Sequence, residues 1–280
     1  MITELRIRRR MVSLALAGLL LSLWPHVPVF AQSLNLTAGD DGGPVSIFAE
    51  DGIEWQQENL VFLARGNARA VRDNVEVNAD VLKAYYHEVN GTSEIWRLDA
   101  EGSVVIESPN EKVTGDLAIY DVPKGVLLVR GRDIRFTAGP DVITAEQQLE
   151  YWEGKQLAVA RGDAHAVRGD KQLDADVLAA YFKRQANGET DIERVEAFDN
   201  VRIETTTEVV TADRGIYMVQ SGLATLTGSV KITRGGNVIT GCKATVNLNT
   251  GISRMFACAD GSGTRVQGSI LPETTEETRQ

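Results

Sequence analysis

The sequence predicts an all-β protein, and three observations carry the prediction. Apolar and polar residues alternate over many short runs, as in Val230-Lys231-Ile232-Thr233, Val201-Arg202-Ile203-Glu204 and Ile134-Arg135-Phe136. Turn signals separate the runs: Asn90-Gly91, Pro109-Asn110, Pro123-Lys124-Gly125, Gly139-Pro140, Asn187-Gly188, Ser221-Gly222 and Gly235-Gly236. A long unit also recurs. Ala64–Tyr86 superposes on Ala160–Phe182 with thirteen identities, and the match continues from Thr114, Asp116 and Tyr120 to Thr211, Asp213 and Tyr217.

Composition sets the outer limits. The 280 residues are 43% hydrophobic and 24% charged, which is enough apolar surface for a core and too much for a disordered chain. Acidic residues outnumber basic ones by 39 to 29, giving a net charge of -10, so a duplex-binding role and a nucleic-acid partner are excluded on electrostatic grounds. Two cysteines are too few for a zinc ribbon or an iron–sulfur site.

Taken in order, the chain opens with Arg6, Arg8, Arg9 and Arg10 ahead of an apolar run from Met11 to Leu23. As a helix that run is about 20 Å long, short of a ~30 Å hydrocarbon core. Val29-Phe30-Ala31-Gln32 supplies small residues for a peptidase, so residues 1–31 are expected to be a signal peptide cleaved after Ala31, with export of the remainder. Residues 32–43, ending Asp40-Asp41-Gly42-Gly43, read as a flexible lead. The repeats are expected at 44–142 and 143–237, with a partial third copy at 238–270 opening on Val238-Ile239-Thr240, which echoes Val142-Ile143-Thr144. Residues 271–280 read as a disordered acidic tail.

Within the first copy, Val81, Leu82, Tyr85, Tyr86 and Val89 fall at helical spacing. A short helix there is the alternative to the preferred strand, which the β-branched and tyrosine content favours. Cys242 and Cys258 flank a hairpin-like segment with the turn Asn249-Thr250-Gly251. In an oxidising compartment a disulfide between them is a reading slightly ahead of two buried thiols.

No catalytic constellation emerges. His87 and His165 have no metal-ligand spacing, and there is no nucleophile elbow, P-loop or dinucleotide fingerprint, so no cofactor is expected. Glu50, Asp80, Asp116, Glu146, Asp176 and Asp213 recur once per structural step after Ala or Gly. That makes them structural turn residues in preference to a general acid and base, although a β-helical polysaccharide lyase or hydrolase is the enzymatic alternative. Gly66, Gly102, Gly131, Gly162 and Gly228 each precede a strand and read as turn or bulge positions.

These residues also carry a resemblance. Pro44-Val45-Ser46-Ile47-Phe48-Ala49-Glu50, Gly66-Asn67-Ala68, Val77-Asn78-Ala79-Asp80-Val81, Thr114-Gly115-Asp116, Tyr120 and Leu127-Leu128-Val129-Arg130-Gly131 resemble the OstA-like lipopolysaccharide-transport family, from Pro44 to about Gly268. The resemblance implies a twisted antiparallel β-jellyroll, open along one side, and a non-enzymatic carrier or bridge that moves lipopolysaccharide from inner to outer membrane. Its partners would be lipid A acyl chains, further copies joined head to tail, and jellyroll domains of inner- and outer-membrane transport proteins. The expected lipid-facing residues are Val45, Ile47, Phe62, Val75, Val77, Val104, Ile106, Ile134, Phe136, Val201 and Ile203. A periplasmic β scaffold with a closed core and no lipid is the rival reading. The extra copy is a departure from the shorter family pattern, and Ala158, where the first copy has Phe62, is expected to widen the second groove segment.

Overall fold

A computed structural model describes residues 45–184, 190–247, 249–250, 252–258 and 265–271. The expected signal peptide, lead and all of the tail but Leu271 lie outside the described residues, as does the Asn187-Gly188 turn.

The described chain is one antiparallel sheet in which hairpin follows hairpin. Strands β1 (Ser46–Phe48) and β2 (Gly52–Gln56) lie end to end along β3 (Val61–Arg72). Next come β4 (Val75–Val89), β5 (Thr92–Glu107) and β6 (Glu111–Asp121), each paired with the one before. The shorter β7 (Val126–Arg130) and β8 (Ile134–Ala138) divide the far edge of β6. They pair in turn with β10 (Gln148–Trp152) and β9 (Asp141–Ala145), which divide the near edge of β11 (Leu157–Arg168).

The meander then resumes through β12 (Lys171–Arg184), β13 (Thr190–Glu204), β14 (Glu208–Met218), β15 (Leu223–Arg234) and β16 (Asn237–Asn247). Finally β17 (Ile252–Phe256) and β18 (Gln267–Ser269) share β16. Asn90-Gly91, Pro123-Lys124-Gly125, Gly139-Pro140, Ser221-Gly222 and Gly235-Gly236 all sit in turns.

What gives this ribbon depth is a line of bulges. The register slips between Arg65 and Ala68, Asn78 and Val81, and Glu101 and Val104. It slips again between Arg161 and Ala164, Asp174 and Val177, and Phe198 and Val201. A bulge bends its strand and sharpens the twist, so bulges at one level across successive strands fold the sheet along that level. Burial demands the same result. Val104 and Ile134 are each 1% exposed, and no α-helix among the described residues covers them, so the facing half of the sheet must. Buried residues from both sides of the bend accordingly pack in common clusters, Leu98 and Tyr120 beside Ile106 and Val113 in the first, Leu226 beside Val201 and Val210 in the second. The fold is therefore the expected twisted antiparallel jellyroll.

The glycine and carboxylate repeats have one explanation. Gly102 (φ +77°) and Gly228 (φ +75°) occupy bulges, in backbone conformations that side chains avoid. A Cβ added there would lie 2.1 Å from the Asp80 carboxylate and 2.0 Å from that of Asp213. Asp116 accepts a hydrogen bond from the Arg132 backbone N–H at 3.1 Å, and Asp176 accepts one from Asn200 Nδ2 at 2.9 Å. These acids brace the bends of neighbouring strands. The segment 81–89 belongs to strand β4, and Cys242 and Cys258 are joined, with Cα atoms 5.0 Å apart.

Candidate functional site: a continuous apolar inner face

Side chains of directly opposed residues in antiparallel strands share a face, so the ladder registers trace rows across the whole sheet. One row runs Trp55, Phe62, Ala84, Leu98, Tyr120, Leu127 and Tyr151, then continues as Ala158, Ala180, Val195, Tyr217, Ala224 and Val246. Beyond the bend a second row runs Ile47, Ala70, Val77, Ile106, Val113, Phe136 and Ile143. It continues as Ala166, Leu173, Ile203, Val210, Ile232 and Ile239. No polar side chain other than the tyrosine and tryptophan heteroatoms interrupts either row. The fold brings the two rows face to face around an apolar trough.

All eleven residues expected to face lipid are on or beside this inner face. Val104, Ile106, Ile134 and Val201 are 2% exposed or less, Ile47, Phe62, Val75, Val77, Phe136 and Ile203 are half-buried, and Val45 is exposed just ahead of β1. The trough is thus closed over by its own side chains at the first group and reachable at the second. Phe62 stacks on Trp55, with centroids 5.2 Å apart, and leans on Tyr86 at 5.1 Å, while Trp55 Nε1 donates to Tyr86 Oη at 2.8 Å. This group closes the β2 end of the first row.

Polar residues form the trough's rim, two positions beyond the second apolar row. Arg72, Glu111, Asp141, Arg168, Lys171, Glu208 and Arg234 stand there on the inward-facing side. Arg168 is ion-paired with Asp141, and Arg234 Nη2 donates to Glu208 at 2.7 Å. Glu111 is the exception: it is 6% exposed, its Oε2 has no hydrogen-bond partner, and burial pushes its carboxyl up to about 7. Nearby, Arg72 Nε and Ser108 Oγ are likewise enclosed without partners.

Among the described residues the two histidines face outward beside single carboxylates, His165 with Asp174 and His87 with Glu94 at 3.6 Å. Among the described residues no three His, Cys, Asp or Glu side chains are grouped to hold a metal. The residues missed in the sequence are Leu98, Tyr120, Leu127, Tyr151, Val195 and Tyr217. They share the first row with Phe62, across the bend from the other selected residues, and in the long strands the bulge glycines were the available signal that one strand contributes to both rows.

An all-antiparallel sheet folded over a continuous apolar trough is a jellyroll. Residues 142–252 match the family model described as "LptA/(LptD N-terminal domain) LPS transport protein". The chain is also similar to an uncharacterised protein of Rhizobium meliloti (strain 1021), 27% identical over 132 residues, which are 45% of this chain and 69% of that protein. Among solved structures it is similar to LptH, described as the LptA homologous periplasmic component of the lipopolysaccharide transport device from Pseudomonas aeruginosa. The identity there is 19%, covering 48% of this chain and 96% of LptH, with a TM-score of 0.41.

Proposed function

We propose that the protein is a periplasmic carrier or bridge that shelters the acyl chains of lipopolysaccharide on their way from inner to outer membrane. The observation that carries this is the pair of apolar rows running unbroken from β1 and β2 to β16. Each methylene removed from water is worth ~0.8 kcal/mol, so one chain of about a dozen carbons contributes on the order of 9 kcal/mol gross. The net charge of -10 repels phosphorylated headgroups overall, which leaves acyl burial as the main source of affinity. Export rests on the Arg-rich start and the apolar run 11–23, and the Cys242–Cys258 bond suits an oxidising compartment.

The two ends of the sheet fit head-to-tail contacts with other jellyrolls. β1 and β2 pair only with β3, and β17 and β18 only with β16, so each terminal strand keeps an open edge among the described residues. Exposed apolar side chains accompany both edges: Phe48 and Trp55 at one, Ile252 and Ile270 at the other. An open apolar edge is an aggregation hazard unless another strand covers it.

The scaffold reading draws its support from the fully buried Val104, Ile106 and Ile134. One experiment separates the two. With a photo-crosslinking residue in place of Ile47 or Ile203 in cells that make lipopolysaccharide, the carrier is expected to capture it. Good expression with no capture from either position refutes the carrier.

A further inference from the structure

The half of the sheet that carries the first apolar row has a second face, turned away from the trough, and towards the C-terminus that face changes character. Opposed pairs set Met218, Leu223, Asn247 and Ile252 in one outward row. Ile216, Thr225, Thr245 and Arg254 form the next, and Arg214, Thr227, Lys243 and Phe256 a third. No carboxylate stands in these rows, in a chain with 39 acidic residues and a net charge of -10. Residues 215–230 contain no charged side chain at all, where the chain as a whole is 24% charged.

The rows are also ordered. At the turn end of the strands Met218, Val219, Leu223 and Ile252 are exposed. Cations lie only behind them: Arg254 two residues back along its strand, and Arg214 and Lys243 four residues back, about 13 Å from the edge. Arg214 lies over the Phe198 ring at 4.7 Å, and among the described residues no carboxylate pairs with Arg214, Lys243 or Arg254. On β13 alongside, Glu196 is held by Arg194 at 3.0 Å, and Glu193 stands at the margin. The leading turn is fixed in shape, since Gly222 N–H donates to Val219 O at 3.2 Å and Asn249 Nδ2 donates to Ser221 O at 3.2 Å.

Other turns along the same edge are different. The turn between β6 and β7 carries Asp121 and Lys124, and that between β10 and β11 carries Glu153 and Lys155. Single exposed apolar residues are ordinary, but a group of them without any acid beside it is not. A protein interface sets an apolar centre inside a polar rim. Here the apolar side chains form the margin itself and the cations all lie to one side of it. That layering matches an anionic phospholipid surface, hydrocarbon first and phosphates behind. Pairing of another strand with β17 would not cover this edge, because β15 and β14 lie two and three strands in from it.

We propose that this edge docks the protein on the surface of an anionic phospholipid bilayer. Met218, Val219, Leu223 and Ile252 enter the headgroup layer, and Arg214, Lys243 and Arg254 meet the lipid phosphates from behind. In a molecule that is otherwise strongly acidic, a face free of carboxylates is what lets such a surface be approached, and it fixes the orientation of approach. The contact is made by the outside of the sheet and is independent of what the trough holds.

The test is flotation of the exported, disulfide-bonded protein with vesicles of phosphatidylglycerol and phosphatidylcholine in equal amounts, and with phosphatidylcholine alone. Binding at least tenfold tighter to the mixed vesicles is expected. Arg214→Glu with Lys243→Glu should weaken it at least tenfold, and Val219→Ser with Leu223→Ser at least fivefold. Arg135→Glu with Lys231→Glu makes the same change in net charge on the outward face beyond the bend, and should alter binding less than twofold. All four cations are exposed, so melting temperatures should stay the same. Equal losses from the two charge pairs, unchanged binding after the serine changes, or no preference for the mixed vesicles overturns the proposal. So does a photo-crosslinking residue at Val219 that captures protein and no phospholipid in cells. The vesicles hold no lipopolysaccharide, so any of these failures leaves the carrier reading in place.

Discussion

Replacing Glu111 by Gln is expected to stabilise the protein, and by an amount that depends on pH. The carboxyl stands at the start of β6, two residues before Val113 on the inner face, 6% exposed and with Oε2 unpartnered. Burial without a compensating cation disfavours the charged form, which raises the group from its ordinary 4.5 to about 7. Between those values the folded chain holds a proton that the unfolded chain has released. Stability from this group is therefore greatest below 4.5, falls as the pH rises, and levels off above about 7. At about 1.4 kcal/mol per pH unit across that window, the loss amounts to about 3 kcal/mol. Glutamine keeps the shape and cannot ionise. Urea unfolding of the disulfide-intact protein and of Glu111→Gln should give nearly equal stabilities at pH 4, with the variant ahead by about 3 kcal/mol at pH 8. A difference between the two that stays constant from pH 4 to 8 would refute the assignment of a buried, unpaired carboxylate.

Two further outcomes bear on the bends and the terminal edge. Gly228→Ala forces a side chain into φ +75° and towards the Asp213 carboxylate, and should cost on the order of 1–3 kcal/mol in denaturant unfolding. Adding Asp213→Ala should recover the steric part alone. Cys242→Ser with Cys258→Ser opens a covalent loop with a sequence separation of 16, worth about 3 kcal/mol in the chain-entropy account. Hydrogen exchange should then quicken in β17 and β18 before any other strand; protection unchanged there would show that the bond does not hold this edge.

The sequence made the strands legible because their chemistry is local. Val230-Lys231-Ile232-Thr233 alternates, and the structure buries Val230 and Ile232 while exposing Lys231. The helix-like spacing of Val81, Leu82, Tyr85 and Tyr86 has a physical origin in β4. A register slip between Asn78 and Val81 shifts the alternation by one, so that Val77 and Ala79 before it and Leu82, Ala84 and Tyr86 after it share the inner face, with Val81 and Tyr85 on the other. The apolar character of the trough was legible too, in Ile47, Val77, Ile106 and Ile203. Whether a leucine fills space or borders it depends on what the facing row brings, and that pairing is set by the bend and not by neighbouring residues. Glu111 was invisible for the same reason, since nothing local distinguishes a rim acid in water from one covered by the opposite wall.

The meander has a consequence for how such a chain comes into being. Each long strand finds its partners immediately before and after it in the sequence, and the widest ladder pairing among the described residues is only that of Gln172 with Glu204. Most β proteins must bring remote segments together, at a cost in loop entropy that slows them. Here a thread emerging from a pore, amino end first, can lay down each pleat against the last one made. Assembly by accretion also lets the product be lengthened by duplication without disturbing either end.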